Sequence, residues 1–181
     1  IPESRTEYES FYSQLDFTTP TYNKADFEKF FPGSMVTEKD GKYVVQLFED
    51  IVGGVCLPDN LGEFTLNMNQ FSIYGADGLW NLEDYRNGES AITFTGSGDT
   101  DPATPTRMTV IGTGANKIVG GEGASPANEV ADGEALDGGH GGNGLAVAKD
   151  GMPVRKVEVI WVDGELLGGN GGNGADTTKG D

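Results

Sequence analysis

The chain has 181 residues, 36% of them hydrophobic, which is enough for one globular domain with appendages. Twelve lysines and arginines stand against 29 aspartates and glutamates, a formal charge of -17 that repels nucleic-acid phosphates and anionic lipid headgroups. The single cysteine, Cys56, excludes an intramolecular disulfide and a cysteine-rich zinc site, and no apolar run is long enough to span a membrane.

Residues 1–34 read as an aromatic arm. Tyr8, Phe11, Tyr12 and Leu15 fall at helical spacing behind a Ser4/Glu7 capping box, which predicts a short helix. Asn23 with Asp26 starts a second turn that gathers Phe27, Phe30 and Phe31 before Pro32 and Gly33 stop it. Two uses are open for these rings: folding back onto the domain's own core, or anchoring on a partner, in which case Phe11, Tyr12, Phe27, Phe30 and Phe31 are the partner-binding residues. The first residue is Ile1 rather than methionine, from which we expect an organellar protein that has lost a targeting segment, with secretion as the alternative; a start further upstream would look the same.

Residues 35–165 read as a β domain. Alternation in "GKYVVQLFED", "GEFTLNMNQFSIYG", "ESAITFTGSGD", "TRMTVIGTG" and "VRKVEVIWV" predicts five strands, and the loss of parity at Asn69 and Gln70 predicts a β-bulge. Turns rich in Gly, Asn and Asp, with no long helical pattern between the strands, predict a mainly β fold: an antiparallel sheet, or a small barrel of about five or more strands. Cys56, in the apolar run "IVGGVCL", reads as a small buried core residue.

Glycine dominates the remainder. Nineteen of the 29 glycines lie from Gly112 onward, in an insertion at about 120–153 and a tail at 166–181 that have little to build a core from. The runs "DGGHGGNGLA" and "LGGNGGNGAD" nearly repeat each other. Each matches the dinucleotide pattern G-x-G-x-x-G, at Gly139, Gly141 and Gly144 and at Gly169, Gly171 and Gly174, but neither lies between a strand and a helix that could carry a pyrophosphate. "GGHGGNGLA" also resembles one nonapeptide of a calcium-binding β-roll, with Asn143 and, in the second run, Asn173 where the calcium-binding aspartate belongs. The remaining reading is that glycine serves positive φ, tight turns and close approach to another surface.

No catalytic set emerges, and no catalytic, cofactor or metal residue is assigned. His140 is the only histidine and has no evident orienting partner, while Glu49 with Asp50 and Asp99 with Asp101 are explained by strand alternation and turn formation.

"GESAITFTGSGD" followed by "TRMTVIGTGANKIVGGEG" resembles the glycine-punctuated late strands of dirigent and allene oxide cyclase-like barrels. That resemblance implies an eight-stranded barrel for a small hydrophobic ligand, with isomerase or cyclase activity; only Gly112 and Gly114 carry over, as turn residues. An acidic, processed chain of five strands and long loops is also similar in architecture to the small extra subunits that coat photosystem I in diatoms and related algae, which implies a photosystem I partner and a chloroplast location. The leading expectation is a non-catalytic accessory subunit without cofactors, docking through its arm and loops on a larger protein complex; the ligand-binding barrel is the alternative.

Overall fold

The computed structural model describes residues 22–80, 86–96, 105–126, 135–147, 157–173 and 175–176. It is mainly β, and most of its strand pairs are parallel. One sheet has the order β1 (Ser34–Lys39), β2 (Lys42–Leu47), β5 (Gly62–Asn67), β8 (Thr106–Ile111), β12 (Val157–Trp161). A second comprises β3 (Ile51–Val52), β6 (Ile73–Tyr74), β9 (Lys117–Val119) and β13 (Glu165–Leu167), and a third β4 (Val55–Pro58), β7 (Ile92–Thr95) and β11 (Leu145–Val147). Among the described strands only β1 with β2, and the short pair β10 (Ala135–Leu136) with β14 (Ala175–Asp176), are antiparallel.

The chain visits the three sheets in turn and then starts again one strand further along, as a β-solenoid does. The expected antiparallel sheet or barrel is therefore corrected: the strands stack in parallel and close no barrel. Alternation misled because a parallel sheet is usually covered on both faces, whereas here one face of each sheet meets solvent and its strands read like antiparallel ones. The crossover that a parallel pair requires is supplied by the other two sheets rather than by a helix.

Side chains stack inward in rows set by the register. Val45, Leu66 and Val110 form one fully buried row, and Ile51, Ile73 and Ile118 form another. On the outer face Lys42, Glu63, Arg107 and Glu158 alternate in charge, with Lys42 Nζ 3.0 Å from Glu63 and Arg107 Nε 2.6 Å from Glu158. The parity break at Asn69 is a corner between two sheets rather than a bulge: β5 ends at Asn67, Asn69 has φ 52°, and its side-chain amide donates to Leu47 O at 2.6 Å.

One end of this core is plugged. Helix α1 (Lys24–Phe30) begins where the second turn was expected, and its start is a capping box, Asn23 and Asp26 each accepting from the other's backbone N–H; the capping box expected at Ser4 and Glu7 lies outside the described residues. Phe27 and Phe31 are 0% exposed, and Phe27 lies 5.1 Å from both the Tyr43 and Phe64 rings. Of the proposed anchors, then, Phe27 and Phe31 fill the domain's own core and Phe30 is partly buried against it, while Phe11 and Tyr12 lie outside the described residues.

Candidate functional site

Between the second and third sheets the chain leaves the solenoid and returns to it, and the excursions hold the glycine runs. Five segments result: g1 (75–79), g2 (86–91), g3 (119–125), g4 (138–144) and g5 (167–173). Their hydrogen bonds recur every third residue. Gly75 and Gly78 N–H donate to Val119 and Glu122 O; Gly121 and Ala124 donate to Glu89 and Arg86 O; Gly142 and Gly139 donate to Gly121 and Ala124 O; Gly169 and Gly172 donate to Gly142 and Gly139 O. A three-residue repeat with bonds only to neighbouring segments is the signature of packed polyproline-II chains. Segments g1, g3 and g5 form one layer, continuing from β6, β9 and β13, and g2 and g4 form the second, leading into β7 and β11.

Glycine is required here for close approach. None of these glycines has positive φ. A methyl group built on Gly121 would land on the Ala76 carbonyl oxygen, on Gly139 it would meet Arg86 O, and on Gly142 it would meet Glu89 O. The Cα–H points at the carbonyl instead, a weak favourable contact that any side chain would abolish. The loops predicted to lack a core thus have one made of backbone.

Every third residue faces outward. Asp77, Asn87, Glu122, Ser125, His140, Asn143, Asn170 and Asn173 are exposed. Short polar side chains there accept the outward N–H of the next segment: Asp77 from Glu122 at 2.8 Å, Asn87 from His140 at 2.8 Å, Ser125 from Asn173 at 2.9 Å. His140 is therefore a surface position of the layer. The calcium reading fails on topology: β-roll turns stack in tandem and parallel, whereas g4 and g5 run antiparallel. Among the described residues no group of three or more His, Cys, Asp or Glu could hold a metal ion.

Two further expectations change. Cys56 is exposed, on the outer face between the buried Val55 and Leu57. Asp50 is a corner residue that accepts from Ser72 N–H at 2.8 Å, while Asp99 and Asp101 lie outside the described residues.

Comparison with protein-family models, with curated proteins and with solved structures finds no match. The site must be judged on geometry, and the geometry directs attention to the end of the solenoid opposite α1. There the inward rows open. Leu57 and Phe94 are 0% and 2% exposed, but their neighbour in the same row, Val147, is 55% exposed. Ile73 and Ile118 are 0% exposed, and Leu166, next in that row, is 46% exposed. A groove of about 240 Å³ lined by Phe94, Leu145, Ala146, Val147, Val157 and Val159 runs between β11 and β12. Among the described residues no strand pairs with the outer edges of β11, β12 or β13. The sequence carried a signal for the glycine layers, the triplet G-G-x repeated in g4 and g5 and, as "GGEGAS", in g3. Reading it as G-x-G-x-x-G hid the period of three.

Proposed function

We propose that the protein is a non-catalytic docking subunit that joins a larger protein assembly through the open end of its solenoid. The observation that carries this reading is the graded burial of the inward rows, complete beside α1 and lost at Val147 and Leu166. An apolar end bounded by edges that no described strand pairs favours association. The formal charge of -17 disfavours stacking of identical copies and favours a neutral or basic partner surface. The aromatic residues of α1 contribute indirectly, by fixing the closed end and leaving the other free.

Gentle extraction of the native protein, followed by sizing and amide hydrogen exchange, tests the reading. The protein should migrate in a large complex, with the amides of β11, β12 and β13 protected there and exposed to exchange in the isolated chain. Native protein that migrates alone, with these edges exchanging as in the purified chain, refutes it.

A further inference from the structure

Among the described residues the glycine layers reach only half-way through a repeat, and their geometry specifies what would complete it. Each step along the stack reproduces the same bonds: Gly121 and Ala124 donating to Glu89 and Arg86 become, one step on, Gly169 and Gly172 donating to Gly142 and Gly139. Layer one has g1, g3 and g5, whereas layer two has only g2 and g4 among the described residues. We infer that the position beside g4 and against g5 is a docking slot for a glycine-rich, polyproline-II segment of a partner chain, continuing into a short apolar strand. This inference rests on the docking reading above and names the chemistry of the partner.

Repeating the step once more fixes the contacts. As Gly88 N–H donates to His140 O, Gly141 N–H would donate to the guest; as Gly142 and Gly139 N–H donate to Gly121 and Ala124 O, guest N–H groups would donate to Gly169 and Gly172 O. These three host groups have no hydrogen bond among the described residues. Gly168 and Gly171 complete the wall. Their counterparts one step back, Gly120 and Gly123, have no room for a methyl because Gly142 and Gly139 O stand against them, whereas at Gly168 and Gly171 the nearest atoms are 3.6 Å away. The space is the one the guest backbone would occupy.

A second feature lies on the same line. Segment g4 runs directly into β11, so a guest parallel to g4 runs on beside β11, where Val147 is exposed and the apolar groove opens. The outward positions within g4 and g5 that flank the slot are the uncharged His140, Asn143, Asn170 and Asn173, with the exposed carboxylate of Asp137 one step before them at the end of the slot, whereas g1 and g3 present Asp77 and Glu122 along their length. An uncharged backbone guest suits such walls. A second copy stacked head to tail does not fit, because the carbonyl of Tyr74 at the far edge of layer one already accepts from Gly53 and Gly54.

The guest's glycines are specified by position. Its residues corresponding to Gly139 and Gly142 would lie against the Gly139 and Gly142 carbonyls and must be glycine; those corresponding to Gly138 and Gly141 would face a segment that is absent and tolerate alanine. The probe is a synthetic peptide of the sequence Gly138–Val147, titrated into the isotopically labelled protein and followed by backbone amide NMR. Saturable shifts at Gly141, Gly169, Gly172 and Val147, with Gly88 and Ala91 unchanged, are expected. Alanine at the peptide's second and fifth positions should abolish them, and alanine at its first and fourth should not. Gly171→Ala in the host should leave the fold intact and eliminate binding. The slot is refuted if the parent peptide does not bind, if both alanine peptides bind alike, or if loss of the Gly88 and Ala91 bonds shows that the peptide merely displaces g4. None of these outcomes bears on protection of the solenoid end in the native assembly, which judges the docking reading separately.

Discussion

The same substitution at two glycines should act with opposite sign. At Gly121 an alanine methyl would strike the carbonyl of Ala76, with Gly75 O close behind, and both belong to backbone that cannot rotate away. Segment g3 must then move out of the stack. It is bonded on every side: Gly121 to Glu89 at 2.8 Å, Gly142 to Gly121 at 2.8 Å, Gly120 to Leu167 at 3.0 Å and Gly123 to Asn170 at 2.8 Å. Losing two or three such bonds at about 1 kcal/mol each costs roughly 2–3 kcal/mol, and the lost Cα–H···O contact adds about 0.5–1 kcal/mol. Alanine restricts the unfolded chain, which offsets about 0.4–1 kcal/mol of this, leaving a net loss of about 2–3 kcal/mol for Gly121→Ala. At Gly171 the nearest atom to the new methyl is Gly139 O at 3.6 Å, an ordinary contact. Only the unfolded-state term then remains, and Gly171→Ala should be neutral or stabilising by up to about 1 kcal/mol. Urea titrations with linear extrapolation measure both, and the two midpoints should separate by about 1 M for a slope of about 2–3 kcal/mol/M. Equal shifts in the same direction would refute the packed polyproline-II layers.

Two other substitutions probe the solenoid. Phe27→Ala empties the plug between α1 and the Tyr43 and Phe64 rings and should cost about 3–5 kcal/mol, read from thermal or urea unfolding; a loss below about 1 kcal/mol would mean that the helix does not close the core. Cys56 lies on an outer face, so it should react with a thiol reagent in the folded protein as fast as in the unfolded chain, and Cys56→Ser should change stability by no more than about 0.5 kcal/mol. A protected thiol would place Cys56 inside, as its apolar sequence neighbours suggest.

The long strands were legible because one face of each is buried or, in β12, partly buried. The alternation in "KYVVQL", "GEFTLN", "ITFT", "TRMTVI" and "VEVIW" coincides with β2, β5, β7, β8 and β12. The pairing was not legible, since a period of two is indifferent to whether the neighbouring strand runs up or down. The corner strands escaped because two or three residues, as in Ile51–Val52 or Ile73–Tyr74, are too few to show a period. Cys56 was misplaced because parity within "VCLP" depends on which neighbour starts the strand: with Val55 and Leu57 inward, the thiol must face out. The start of α1 was readable from Asn23 and Asp26 alone, because the bonds that fix it are local; the destination of Phe27 and Phe31 was not, because it depends on strands far along the chain. The glycine runs were visible as composition, yet their order arises only when five segments separated in sequence meet.

The glycine layers also bear on how the protein meets temperature. A conventional core loses part of its driving force on cooling, because burying apolar surface is entropic near room temperature and carries a large heat-capacity change. The interior of g3, g4 and their neighbours is peptide against peptide, so opening it exposes polar surface, whose hydration changes heat capacity in the opposite sense. The two halves of the molecule therefore answer cold differently. As the solenoid's aliphatic rows weaken, the backbone layers beside them keep their hold, which flattens the stability curve at its cold end.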